Sequence, residues 1–210
     1  MSTWTFKKLA GLALTLALPA CVASDGAVVS RSLPRAVSVT DANVVVTGPS
    51  GYCIDQRSVT EQDQGSFVLL ASCDSLARGR RVQNQSEPLL LTASVSGVPG
   101  VVGDASVLKQ FFTSEQGRQA LSRDGRASTV EVLHMFRRDE AFILHARDTS
   151  SGLGDGLSED YWRAFIEVKN HIVTASAIPF QSAPVSDDEA LSVLSAFLKR
   201  IRGASGAAAN

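Results

Sequence analysis

Two histidines on neighbouring predicted strands are the side chains in this sequence best suited to chemistry. His134 lies in the alternating segment 130–136, and His145 lies in the segment 141–147. The polar residues 137–140 between them are typical of a turn. Alternating apolar and polar residues on either side of a short turn predict a β-hairpin. We therefore expect the two histidines on adjacent antiparallel strands.

The chemistry of this histidine pair depends on how the hairpin is paired. Pairing Phe136 with Ala141 places His134 and His145 on the same face as diagonal neighbours. Two imidazoles at that spacing bind zinc or copper when a third ligand joins them. The alternative is two partly buried, hydrogen-bonded histidines on a sheet face. No HExxH motif or Cys/His cluster accompanies them, so metal handling is an alternative interpretation only.

Aromatic and charged residues open the next predicted strand, and they indicate where a pocket would lie. Trp162 and Arg163 follow the glycine-rich acidic segment 151–160. Any pocket is expected where these two residues converge with His134 and His145, although a Trp at a strand end also covers the edge of a core. The acids of 151–160 lack the regular spacing of a calcium loop, so we interpret this segment as a connection.

The motifs of an α/β-hydrolase nucleophile and of a phosphate-binding loop are missing from the sequence. It contains no G-x-S-x-G motif, and the glycine-rich run Gly97–Gly103 lacks the GK[ST] of a phosphate-binding loop. Basic and acidic residues number 20 and 21, and the net charge of −1 argues against nucleic acid as a partner. We therefore predict a non-catalytic protein without a cofactor. A periplasmic enzyme with an unrecognised site is the alternative.

The C-terminal region carries the best-marked element. Ser186–Glu189 has the sequence of a capping box, in which the first and last side chains satisfy each other's backbone amides. Leu191, Leu194, Leu198 and Ile201 then recur at helical spacing. Upstream lie mainly short strand patterns. The sequence thus predicts an α+β fold, with an antiparallel sheet, one or two helices packed on it, and a C-terminal amphipathic helix.

Three sequence stretches across residues 43–202 resemble the PsbP-like family in their order along the chain. They are GPSGYCID, LKQFF and the terminal ALSVLSAFLKRI. The family is named for an extrinsic subunit of the photosystem II oxygen-evolving complex. The chain also resembles uncharacterised exported proteins of Gram-negative bacteria. The PsbP-like resemblance implies a binding or assembly module, and it assigns no metal-ligating or partner-binding residue.

The first 20 residues have the pattern of a secretory signal peptide. Lys7 and Lys8 precede the apolar run Leu9–Ala20, which is shorter than the roughly 20 residues that span a bilayer. Leu18-Pro19-Ala20-Cys21 resembles the lipobox of bacterial lipoproteins, although that family usually has a small residue where Pro19 stands. This resemblance implies a lipid on Cys21. Val22 is not the aspartate that retains such proteins at the inner membrane in some bacteria, so the resemblance also implies an outer-membrane anchor that faces the periplasm. Cleavage after Ala23 is the alternative.

The remaining cysteines and the chain ends complete the predicted organisation. Cys53 and Cys73 form an isolated pair, which in an oxidising compartment indicates a disulfide. We expect a signal peptide over 1–20, a flexible tether over 21–41, one domain over 42–202 and a disordered tail over 203–210. The predicted function is that of a periplasmic envelope lipoprotein that binds a protein or a small ligand.

Overall fold

The computed structural model describes residues 33–39, 44–77, 88–150 and 156–207, which form ten strands and four helices. The predicted signal peptide and Cys21 lie outside the described residues. The strands are β1 Ala36–Val39, β2 Val44–Thr47, β3 Tyr52–Ile54, β4 Thr60–Gln62, β5 Gly65–Ser72, β6 Leu89–Pro99, β7 Val130–Arg138, β8 Ala141–Asp148, β9 Asp160–Val168 and β10 His171–Pro179. The helices are α1 Cys73–Ala77, α2 Ala105–Thr113, α3 Glu115–Leu121 and α4 Asp187–Ala207.

An eight-stranded antiparallel sheet forms the centre of the domain. Its strands run in the order β3-β5-β6-β10-β9-β8-β7, with β4 paired to β5. Both predicted hairpins, β7–β8 and β9–β10, are formed by adjacent strands. A separate two-stranded ribbon joins β1 to β2. The α+β class predicted from the sequence is confirmed at this level.

Helices cover both faces of the sheet. On one face, Ile143 and Ile166 pack in the same cluster as Leu194 of α4 and the valines of β2. On the other, Phe142 packs with Phe112 of α2, and their rings are 5.9 Å apart between centroids. The sequence predicted one or two helices on the sheet, whereas the structure has helices packed against both of its faces. Nearly every residue of β8 is buried, so both faces of this strand need a cover.

Two-residue turns close both hairpins, and this corrects the predicted pairing of Phe136. Asp139 and Glu140 have φ values of 48° and 62°, so both are left-handed, as in the turns that suit twisted hairpins. The turn is consequently shorter than the predicted 137–140. Arg138 lies opposite Ala141, and Phe136 lies opposite Ile143. The prediction was wrong because neither turn residue is glycine, the usual signal for this conformation.

The predicted disulfide between Cys53 and Cys73 is present. It joins β3 to the first residue of α1 and closes a loop of 20 residues along the chain. Cys53 is buried beside Tyr52 and Ile54, so the bridge lies at the edge of the core. The bond therefore fixes the short edge strand β3 to the end of β5.

Helix α4 begins as predicted and continues beyond the predicted end of the domain. The Glu189 amide donates to Ser186 Oγ at 3.2 Å. The helix reaches Ala207, although the sequence predicts a disordered tail from residue 203. Ser205 is buried and its Oγ accepts from the Val45 amide at 3.0 Å, so β2 holds the last turns in place. No helix of the described residues is long and apolar enough to cross a membrane.

Strand β1 lies inside the segment 21–41 that the sequence predicts as a flexible tether. Val37 and Val39 point toward the core that α4 covers, and Val39 is 1% exposed. Val39 pairs with Val44 in the two-stranded ribbon. The folded domain therefore begins before residue 42, because two alternating valines suffice for a short strand when a partner is adjacent.

Candidate ligand site at His145

Three adjacent strands bring His134, His145 and Trp162 into one row. His134 on β7 lies opposite His145 on β8, which in turn lies opposite Trp162 on β9. The rings of His145 and Trp162 are nearly parallel, with 4.4 Å between centroids, and the two imidazole centroids are 6.2 Å apart. Three of the four predicted pocket residues thus form an aromatic stack on the face that α4 covers.

A β-bulge sets the position of His134 within this row. The pairing of β7 with β8 shifts between Val132 and His134, so Leu133 is an extra residue on β7. The histidines are therefore directly opposite each other and not diagonal, as the sequence predicted. Their location on one face is confirmed.

Arg163 does not join the other three predicted residues. Successive strand side chains point to opposite faces, so Arg163 lies on the far face from Trp162. Its Nε donates to Ser176 Oγ at 2.9 Å, and its guanidinium lies 5.0 Å from the centroid of the Tyr161 ring. Arg163 therefore takes no part in a site at His145.

Two carboxylates complete the surroundings of His145. Its Nε2 atom is 3.9 Å from Oδ1 of Asp160 and 3.9 Å from Oδ1 of Asp187. The Trp162 indole nitrogen donates to the same Asp187 oxygen at 3.3 Å. Arg147 holds Asp160 through two hydrogen bonds, from Nε at 3.1 Å and Nη2 at 3.3 Å. The aromatic stack thus ends at a charged cluster.

The sequence predictions missed both carboxylates as site residues. Asp187 belongs to the capping sequence of α4, and that role already explained its presence. Asp160 belonged to a segment interpreted as a connection. The only available signal was that Asp160 lies two residues before Trp162, which places both side chains on one face of a strand.

His145 is buried without a hydrogen bond. The residue is 7% exposed, and neither ring nitrogen has a hydrogen-bond partner. Buried polar atoms are usually bonded, so such an imidazole requires an explanation. Burial lowers the pKa of His145 below its ordinary value, and the nearby carboxylates of Asp187 and Asp160 partly offset this effect. Burial therefore favours the neutral form of the ring.

A cavity of about 470 Å³ opens beside this cluster. The charged residues Arg147, Asp160 and Asp187 line it beside His145, while Phe180 and Val185 contribute apolar surface. A concave site with apolar walls and a few convergent polar groups is typical of small-ligand binding. The arrangement therefore suits a ligand that has one polar end.

A metal centre is not apparent at the histidine pair. In the parts of the chain that the structure describes, no three His, Cys, Asp or Glu side chains are arranged to hold a metal ion. The two imidazoles stack face to face, so their nitrogens do not converge on a common point. The geometry therefore gives no support to the metal-handling alternative.

Comparison with known proteins adds no further constraint. The chain matches no known family model, no curated protein and no solved structure. The interpretation of the His145 site consequently depends on its own geometry.

The pH dependence of stability should report the buried state of His145. The pKa of His145 lies below 6.5 in the folded chain, so the unfolded chain binds its proton more readily. Stability is then complete above about pH 6.5 and falls on acidification. We expect the melting temperature of wild type to fall relative to His145→Phe between about pH 7.5 and 5.5. His134 and Arg147 also lower this pKa, and both remain in the variant. A difference that stays constant with pH would contradict the burial argument.

Proposed function

We propose that this chain is an exported, lipid-anchored envelope protein whose domain binds a small polar ligand at the His145 cavity without catalysis. The observation that carries the binding role is the buried His145 side chain, which lines a cavity and lacks a hydrogen-bond partner. A polar group held in this way is costly unless a ligand or another function uses it.

A binding role is favoured over catalysis by the groups around His145. Nucleophilic catalysis needs a hydroxyl or thiol within hydrogen-bond reach of the base. Neither nitrogen of His145 makes such a bond. The hydroxyl of Ser158 also lines the cavity, but it accepts a hydrogen bond from the Asp160 amide at 3.2 Å. An enzyme with an unrecognised mechanism remains the weaker candidate.

Export and anchoring are proposed from the N-terminal sequence and the disulfide. The charged and apolar run before Cys21 has the order of a signal peptide, and LPAC resembles a lipobox. The Cys53–Cys73 bond supports an oxidising compartment such as the periplasm, since cytosolic thiols stay reduced. The proposed location is the periplasmic side of the outer membrane, with Cys21 as the anchor.

A relationship to the PsbP-like family is also part of the proposal. The antiparallel sheet followed by a C-terminal helix supports it through element order. That family acts mainly in binding or assembly, which agrees with a binding role for this domain. A protein partner of the envelope is the second kind of ligand that such a module would accept.

Blocking the cavity tests the binding role. Gln181 is an exposed residue of the cavity wall, so Gln181→Phe fills space without disturbing the core. We expect at least one of a panel of small ions, sugars, amines and acids to raise the melting temperature of wild type by about 5 °C at saturation. The same solute should have little effect on Gln181→Phe.

The matched control is Gln110→Phe, which adds the same ring at an exposed position of α2 on the opposite face of the sheet. Its response to each solute should equal that of wild type. A panel without any stabilising solute, or equal shifts in Gln181→Phe and wild type, would overturn the assignment of this cavity.

A further inference from the structure

The groups around His145 Nε2 favour a positive charge beside them. Two carboxylate oxygens, from Asp160 and Asp187, each lie 3.9 Å from this nitrogen. That distance is too long for a hydrogen bond from the ring and short enough for strong electrostatic coupling. Either a proton on His145 or an external cation would relieve the arrangement.

The charge balance favours an external cation. Arg147 already compensates Asp160 through its two hydrogen bonds. Asp187 is different, since among the described residues its carboxylate forms an ion-pair contact with His145 only. Burial lowers the pKa of the imidazole and so disfavours a proton on it. The carboxylates that line the cavity are Asp160 and Asp187 and the cation is Arg147, so its wall carries one excess negative charge.

We propose that the His145 cavity binds the primary ammonium group of an amine with an apolar body, an inference that depends on the binding function proposed above. An ammonium group has three N–H donors and accepts no hydrogen bond. The carboxylates of Asp160 and Asp187 line the cavity as acceptors, and each lies 3.9 Å from the buried Nε2 atom of His145. The walls at Phe180 and Val185 then receive the aliphatic carbons.

A free small amine and a lysine side chain of a protein partner present the same group. Both fit a cavity of about 470 Å³, so the two sources are separated by experiment. The probes are n-butylamine for a free amine and Nα-acetyl-lysine-methylamide for a lysine in a peptide. Tetramethylammonium carries the same charge without an N–H donor and serves as the negative probe.

Trp162 provides the signal for binding, because it stacks on His145 and donates to Asp187. The sequence has two tryptophans, and Trp4 lies in the proposed signal peptide; Trp4→Phe leaves Trp162 as the only one even in unprocessed chain. We expect its fluorescence to change on titration with one or both primary amines and not with tetramethylammonium. Binding of the lysine derivative alone would assign the site to a protein partner.

Asp187→Asn tests the contact directly, with Asp188→Asn as its matched control. Both variants remove one charge from the first turn of α4, but only Asp187 lines the cavity. Loss of a hydrogen bond to a charged group should weaken amine binding about tenfold or more in Asp187→Asn. Asp188→Asn should bind within about twofold of wild type, since an exposed charge outside the contact contributes little.

Proton competition gives a second readout. A proton on His145 repels an ammonium group bound at the two carboxylates, so amine affinity should fall as the pH drops below about 6.5. His134 and Arg147 face the same ring and add to this repulsion. In His145→Phe the amine affinity should lose this pH dependence.

The inference is overturned if neither primary amine binds, or if Asp187→Asn and Asp188→Asn weaken binding equally. The proposed binding function fails separately. If another solute stabilises wild type and loses its effect in Gln181→Phe, the cavity is a binding site for a different class of ligand. If no solute does so, both proposals fail.

Discussion

Replacing Phe197 by alanine is expected to lower the free energy of unfolding by about 3–5 kcal/mol. Phe197 is fully buried in the cluster that joins α4 to the sheet, together with Leu194, Ile201 and Ile166. Truncation of the ring removes buried apolar surface and leaves a cavity that the paired strands beneath cannot easily fill. The effect should therefore lie near the upper end for a single substitution.

Urea unfolding measures this loss, with Lys199→Ala as the control on the same helix. Lys199 is exposed, so its replacement should change stability by no more than about 0.5 kcal/mol. Equal losses in the two variants would show that α4 is not held to the sheet through its apolar face. They would contradict the fold described for residues 187–207.

Removal of the Cys53–Cys73 disulfide is the second large effect that we expect. The bond closes a loop of 20 residues, and cross-links of that length contribute roughly 3 kcal/mol, chiefly by restricting the unfolded chain. The double variant Cys53→Ala/Cys73→Ala should therefore unfold at a clearly lower urea concentration. The strand β3 should lose protection from hydrogen exchange first, since the bond holds it to the end of β5.

Chemical reduction separates the cross-link from the loss of the cysteine side chains. Wild type under reducing conditions should lose about as much stability as the double variant, while Cys21→Ala should keep wild-type stability under oxidising conditions. A double variant as stable as the oxidised wild type would contradict the stabilising role of this bond.

The sequence predicted local elements well where one pattern decided the structure. The alternating residues of β7 and β8, the strands on either side of the turn Lys169-Asn170 and the capping sequence before α4 all appear in the structure. These signals depend on side-chain periodicity and backbone hydrogen bonding within a few residues. Long-range contacts do not enter them.

Features that depend on distant partners were missed. The bulge at Leu133 depends on how β7 pairs with β8. The helical conformation around Ser205 depends on its contact with Val45. Strand β1 likewise needs β2 beside it. Coverage of the second sheet face by α2 and α3 follows from tertiary packing, which periodicity alone does not determine.

The sequence predicted the aromatic residues of the candidate site but not its carboxylates. His134, His145 and Trp162 share a sheet face as the strand pattern indicated, and Arg163 does not. Asp187 approaches His145 only because α4 begins beside this histidine, a contact between residues 42 positions apart. A sequence pattern carries no information on that distance. Because the helix-capping sequence already accounted for Asp187, its place in the candidate site was missed.

Attachment of a lipid to Cys21 is the claim on which the proposed location depends, and metabolic labelling with an alkyne fatty acid tests it. Expressed in a Gram-negative bacterium, wild type should carry the label and fractionate with the outer membrane. Cys21→Ala should carry none, while Cys53→Ala/Cys73→Ala should remain labelled. An unlabelled wild type whose mature chain begins at Ser24, or equal labelling of Cys21→Ala, would contradict the account.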